Sequence, residues 1–254
     1  MLVADIGNTD IVFGIFQNSS LSKTFRIPAK KGESAPFFSF RLVNYFLENQ
    51  IDPYSFKTTV LSSVVPELTP ILEEVLKEIS QTDVIIVRPG IHRRVTVGID
   101  NPDQLGTDLY SNAVAAFTKY TCASIVVDFG TALTFTAVNK EGEVMGVAIA
   151  PGLKTAVNSL FSNTSQLPDV PLELPITAIG RNSMTSIQSG ILYGYEGLVK
   201  NLVDKFKSEM NDPLIKVVAT GGLSSIIPGL KSWFDEVDIN LTLKGLGIIG
   251  DDYK

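Results

Sequence analysis

One local pattern constrains this chain more than any other, because it occurs twice. Leu2-Val3-Ala4 is a short apolar run leading into Asp5-Ile6-Gly7-Asn8-Thr9. A second run, Ile11 to Phe16, follows, then the turn Gln17-Asn18-Ser19-Ser20, then Leu21 to Ile27. The same order returns mid-chain. Ser124 to Val127 leads into Asp128-Phe129-Gly130-Thr131, then Leu133 to Val138, the turn Asn139-Lys140-Glu141-Gly142, and Glu143 to Ala150. Short apolar runs bounded by Gly, Asn and Asp read as strands joined by turns. Each block therefore predicts a three-strand antiparallel meander. Two such blocks, set about half of the 254 residues apart, predict an internal duplication.

Helical periodicity fills most of the remainder. Ile71, Leu72, Val75, Leu76 and Ile79 share a face, as do Phe38, Leu42, Tyr45 and Phe46. A third helix begins near Asp108, and a long one runs from about Met184 to Met210. Between helices, Thr59 to Val65 and Lys216 to Thr220 read as buried strands. The fold class is thus α/β, with a mixed sheet in each half and a ligand cleft expected between the halves. The boundary falls near residues 117–123, giving domains 1–117 and 118–254. Leu167 to Pro175 reads as an extended surface loop.

Composition narrows the chemistry. A net charge of −6 supplies no general attraction for a polyanion, so nucleic-acid binding is disfavoured. One cysteine, Cys122, excludes an internal disulfide and a cysteine-clustered metal site. One histidine, His92, leaves oxygen ligands for any metal. His92 reads as a solvated loop residue, Cys122 as a core thiol, and Trp233 with Phe234 as packing for a terminal helix. No basic leader and no apolar run of bilayer-spanning length occur, so the expectation is a cytoplasmic protein with no membrane partner.

The two Asp-x-Gly turns are the first candidate site. A carboxylate ending a buried strand needs a compensating partner, and glycine two residues on lets backbone N–H groups approach a ligand. Either turn alone also reads as a plain hairpin turn; their recurrence favours a polyphosphate held with its cation. Gly221-Gly222 after Val217-Val218-Ala219-Thr220 is a tight turn, or a place where a flat group such as a nucleobase approaches the backbone. Asp108 in Gly106-Thr107-Asp108 reads as an acid opening its helix, or as a general base if a substrate hydroxyl lies in reach. Neither the P-loop nor the Gly-x-Gly-x-x-Gly motif is present.

Several motifs together resemble one family. They are Asp5-Ile-Gly-Asn-Thr9, Ser62-Ser-Val-Val-Pro66, Asn101-Pro102 with Gly106-Thr-Asp108, and Asp128-Phe-Gly-Thr-Ala132. Ala150-Pro-Gly-Leu153, Gln166-Leu-Pro168, Gly180-Arg-Asn-Ser183, Ser189-Gly190, Ala219-Thr-Gly-Gly222 and Asn240-Leu-Thr-Leu-Lys-Gly-Leu246 follow in order. The chain resembles the type III pantothenate kinases of the acetate and sugar kinase/actin superfamily. The resemblance implies duplicated actin-like (ribonuclease H-like) domains and ATP-dependent phosphorylation of pantothenate, the first step of coenzyme A synthesis.

By the same resemblance, Asp108 is the proton acceptor. Asp5, Ile6, Gly7, Asn8, Thr9, Asp10, Ile11, Val12, Thr131, Gly221 and Gly222 bind ATP, with Asp5 near Mg²⁺. Asp128 holds a monovalent cation, K⁺ or NH₄⁺. Ile99, Gly106, Thr107, Asp108, Leu109 and Ser183 line the pantothenate site of a homodimer. Leu109 stands where the family usually has arginine, Ile99 where tyrosine is common, and Ser183 where threonine is usual; Arg181 is a candidate for the missing positive charge. Those departures leave a regulatory homologue, or a kinase for another small alcohol, as alternatives.

Overall fold

The computed structural model describes residues 1–164 and 167–253; Gln166 lies outside them. The chain forms two compact units, one of residues 1–118 with 241–254 and one of residues 119–240.

In the first unit, β1 (Leu2–Ile6), β2 (Asp10–Gln17) and β3 (Ser20–Pro28) form an antiparallel meander. α1 (Ala35–Glu48) leads to β4 (Thr59–Ser63), and α2 (Thr69–Ser80) to β5 (Val84–Ile86). β4 pairs parallel to β1, and β5 parallel to β4, so the sheet order is β3-β2-β1-β4-β5. β6 (Thr96–Val97) and α3 (Thr107–Tyr120) follow. The helices start and stop where the sequence supplies the chemistry. Proline stands in the first turn of α1 and α2, where its missing N–H costs nothing, and Gln81 closes α2 in the left-handed conformation. Phe38, Leu42 and Phe46 put one face of α1 into a core with Ile6, Ile11, Phe13 and Leu72. Within it, Phe25 stacks on Phe13 at 4.7 Å and on Tyr45 at 3.7 Å between ring centroids. α6 (Leu241–Asp251) packs on β1 and β4 of the same unit.

The second unit repeats the plan. β7 (Ala123–Phe129), β8 (Ala132–Val138) and β9 (Glu143–Pro151) form the second meander. α4 (Leu153–Asn163) and α5 (Ser183–Met210) precede β10 (Ile215–Thr220), which pairs parallel to β7, and β11 (Glu236–Val237) pairs parallel to β10. Outward from β7, the order β9-β8-β7-β10-β11 matches β3-β2-β1-β4-β5 strand for strand, which confirms the duplication. Asn182 caps α5 by accepting from Thr185 N–H, and Thr185 reciprocates with a capping box.

Three readings from the sequence change. His92 is not solvated: it is 5% exposed, with Nε2 at 3.5 Å from Asp252 and its backbone bonded to the buried Tyr110 hydroxyl. Burial pushes its pKa below the usual histidine range. Cys122 is only half-buried and donates weakly to the Ala123 carbonyl. Trp233 ends a short 3₁₀ turn, Pro228–Trp233, and Phe234 packs edge-on against Phe129, so neither serves a terminal helix.

Candidate active site

In the first unit the site begins where β1 stops. Gly7 N–H donates to the Asp10 carbonyl at 3.0 Å, closing the turn, and Ala29 N–H donates to the Thr9 carbonyl at 2.9 Å, holding it to the end of β3. Asn8 and Thr9 are exposed on this turn. The side chains of Ile6 and Ile11 are fully buried in the core, so these two positions offer a ligand only backbone. Val12 is half-buried, and Asp10 stands 3.7 Å from Arg26 at the surface, a screened pair of little energetic weight.

Asp5 lies one residue before the end of β1, in register with Ser62 on β4. Register partners project to one face, and the Ser62 hydroxyl donates to Asp5 Oδ1 at 2.7 Å. On its other side Ser62 Oγ lies 2.9 Å from Thr107 Oγ1, which also accepts from Ser63 N–H at 3.1 Å. The strand that carries Asp5 and the helix that carries Asp108 are therefore joined by hydroxyl bonds through β4.

Asp108 occupies the first turn of α3. Its Oδ1 accepts from Leu109 N–H at 2.8 Å. Burial raises its pKa above the ordinary aspartate value, and the Leu109 N–H offsets part of that rise. A carboxylate held at a helix N-terminus, with its pKa raised by burial, suits a general base. Gly106 makes the arrangement possible, because a methyl group there would collide with the Asp108 carboxylate. Leu109 turns inward and is 6% exposed; Ile99 is half-buried.

In the second unit, Asp128 occupies the matching position on β7, in register with Thr220 on β10 and Thr134 on β8. Gly130 N–H donates to the Ala132 carbonyl at 3.1 Å, and the Thr131 carbonyl accepts from Gly152 N–H at 3.0 Å and from the Thr155 hydroxyl at 2.6 Å. Gly221 has φ +88°, and a Cβ there would lie 2.6 Å from Asp128 Oδ1 and 2.7 Å from the Phe129 backbone. The structure thus gathers Asp128, Thr131 and Gly221 at one end of the sheet, with Gly222 exposed beside them. Ser183, the first residue of α5, lines instead an apolar groove of about 430 Å³ with Leu160, Leu167, Ile187 and Ile191.

Reasoning from the residues alone missed Ser62 and Gly152. Ser62 is a small polar residue ending an apolar strand beside another serine. Gly152 follows proline at a strand-to-helix junction, and a side chain there would strike the Gly130 and Thr131 carbonyls.

A family model described as type III pantothenate kinase matches residues 1–205. A type III pantothenate kinase of Geotalea uraniireducens is 41% identical over 249 residues, covering 98% of this chain and 97% of the relative. The chain belongs to the type III pantothenate kinase family. The corresponding protein of Citrifermentans bemidjiense is also 41% identical, with 98% of each chain covered. Among solved structures, a Campylobacter jejuni protein assigned to the Baf family of transcriptional activators superposes with a TM-score of 0.60 at 19% identity, covering 100% of this chain and 98% of that one. A Sinorhizobium meliloti protein assigned as a 2-dehydro-3-deoxygalactonokinase gives 0.57 at 12% identity, covering 99% and 96%. At those identities the likeness concerns the fold: this type III pantothenate kinase family member has the duplicated actin-like architecture of sugar kinases.

Proposed function

We propose that this chain catalyses the reaction for which its family is named, transfer of the γ-phosphoryl group of ATP to the primary hydroxyl of pantothenate, opening coenzyme A synthesis in the cytoplasm. The observation that carries the reading at the level of residues is Asp108, a half-buried carboxylate of raised pKa tied through Thr107 and Ser62 to Asp5.

In the transfer, a bond forms between the pantothenate oxygen and the γ-phosphorus, and the bond from that phosphorus to the bridging oxygen of ADP breaks. ADP leaves with the electron pair. The hydroxyl proton passes to Asp108, whose Oδ1 is held by Leu109 N–H so that the carboxylate keeps its aim. Phosphoryl transfer asks a protein chiefly for positioning and charge stabilisation. The Gly7–Thr9 turn and the Gly130–Thr131 turn supply backbone donors for phosphate, and Gly221-Gly222 leave room for the nucleotide's flat base.

Among the described residues no three His, Cys, Asp or Glu side chains form a metal cage. That suits Mg²⁺ held by one carboxylate, Asp5, together with phosphate oxygens. Thr134, across the ladder from Asp128, has a buried hydroxyl with no hydrogen-bond partner, which suits a K⁺ or NH₄⁺ ion at Asp128. When bound, these cations neutralise phosphate charge. Gly106 and Thr107 line the acceptor site, with Ile99 and Leu109 adding apolar surface. Arg181, exposed beside the start of α5, supplies the positive charge for the pantothenate carboxylate that Leu109 does not. The protein works as a homodimer. Ile176 and Ile179, 100% and 81% exposed, with Phe161 and Met184 offer the apolar surface a second copy would cover.

The test is ADP release with pantothenate, ATP, Mg²⁺ and K⁺, comparing wild type with Asp108→Asn. Pantothenate-dependent turnover that falls about 10²–10⁴-fold in the variant is the expected result. Absence of turnover in folded wild-type protein overturns the activity, and undiminished turnover in the variant overturns the role of Asp108.

A further inference from the structure

We infer that Ser62 is a positioning residue that sets the phosphate-side carboxylate Asp5 and the base Asp108 in a single geometry. The inference rests on the pantothenate kinase reading and adds a residue to it.

Ser62 is completely buried and has one proton to give. An ionised carboxylate only accepts, so that proton goes to Asp5 Oδ1 at 2.7 Å. The lone pairs of Ser62 Oγ then face Thr107 Oγ1 at 2.9 Å. Thr107 is fastened from a second direction, since Ser63 N–H donates to its oxygen at 3.1 Å and the Ser63 carbonyl lies 3.1 Å away as an alternative acceptor for its proton. The Thr69 hydroxyl donates to Ser63 Oγ at 2.7 Å, which brings the start of α2 into the same string.

Thr107 is the first residue of α3 and Asp108 the second. A rotation of that first turn that re-aims Asp108 must break the bonds of Thr107 to β4. A shift of β4 must pull on Asp5, its register partner on β1. The phosphate-side turn and the base thus do not move independently. Such coupling through a shared hydroxyl is stronger in a buried site, where a lost partner is not replaced by water.

A serine with a merely structural role would lower stability without linking the two sides of the site. The linkage predicts that a change on the acceptor side is felt by the nucleotide. Thr107→Val, an isosteric loss of the hydroxyl on α3, and Ser62→Ala should each weaken calorimetric MgATP affinity, by roughly tenfold for a bond in series with a charged acceptor. In steady-state assays both should lower kcat more than they raise the KM for pantothenate. The double variant should be about as impaired as the worse single variant, because the two substitutions break one connection.

MgATP affinity in folded Thr107→Val equal to wild type overturns the inference, even if Ser62→Ala does not fold. Multiplicative losses in the double variant also overturn it. Nucleotide affinity needs no acceptor, so wild-type protein that fails to phosphorylate pantothenate defeats the proposed activity while the MgATP measurements still decide the role of Ser62.

Discussion

Gly221→Ala measures how tightly the second phosphate-side turn is built. Gly221 has φ +88°, a conformation that costs an L residue about 1–2 kcal/mol. The added Cβ would meet Asp128 Oδ1 at 2.6 Å and the carbon and oxygen of the Phe129 peptide at 2.7 Å. Two of those three atoms are backbone in a central strand and yield only if β7 and β10 separate. Overpacking of that kind costs about 1–3 kcal/mol. The sum, about 2–5 kcal/mol, is a large part of the 5–15 kcal/mol that holds a typical domain together, and it corresponds to a fall in Tm of roughly 5–20 °C for a chain of this size. Gly222→Ala is the internal control, since a Cβ at Gly222 meets nothing within 4 Å. Thermal and urea unfolding of both variants, with nucleotide affinity at a temperature where both are folded, decides the matter. Gly221→Ala should be much the less stable and bind nucleotide more weakly. Equal stability of the two variants would refute the close-approach argument.

Two further outcomes follow from the same geometry. Burial raises the pKa of Asp108 above its unfolded value, so between those values the native state holds a proton that the unfolded state has released. Stability is then lost as pH rises from the ordinary aspartate range through the raised value, and Asp108→Asn, which cannot ionise, escapes the loss. Its Tm should exceed that of wild type near neutral pH, with the difference vanishing in acid; a parallel pair of Tm curves would count against the burial argument. Replacing K⁺ by Na⁺ should slow turnover several-fold if Asp128 holds a monovalent cation, and equal rates in the two salts would remove that role.

Much of the architecture was legible because its signals are local. The alternation of apolar and turn residues in the blocks from Leu2 and Ser124 shows directly as two meanders, and the faces of α1 and α2 lie where the apolar periodicity puts them. The Asp5 and Asp128 turns were visible because strand-ending carboxylates followed by glycine are unusual in apolar surroundings and occurred twice. His92 was misjudged because its neighbours Arg93 and Arg94 are exposed, and nothing near it in sequence announces that Tyr110 and Asp252 will enclose it.

The sequence by itself determined the strands, the helices, the repeat and the residue types capable of the chemistry, since these depend on periodicity and on intrinsic preferences of neighbouring residues. Tertiary structure alone decided the contacts between residues far apart in the chain. It sent α6 back onto β1 and β4, set Ser62 between Asp5 and Thr107, and brought Gly221 against Asp128. The physical reason is that strand pairing fixes register across long separations. Asp5 meets Ser62, and Asp128 meets Thr220, because parallel ladders align them, and no local pattern in the chain encodes that alignment.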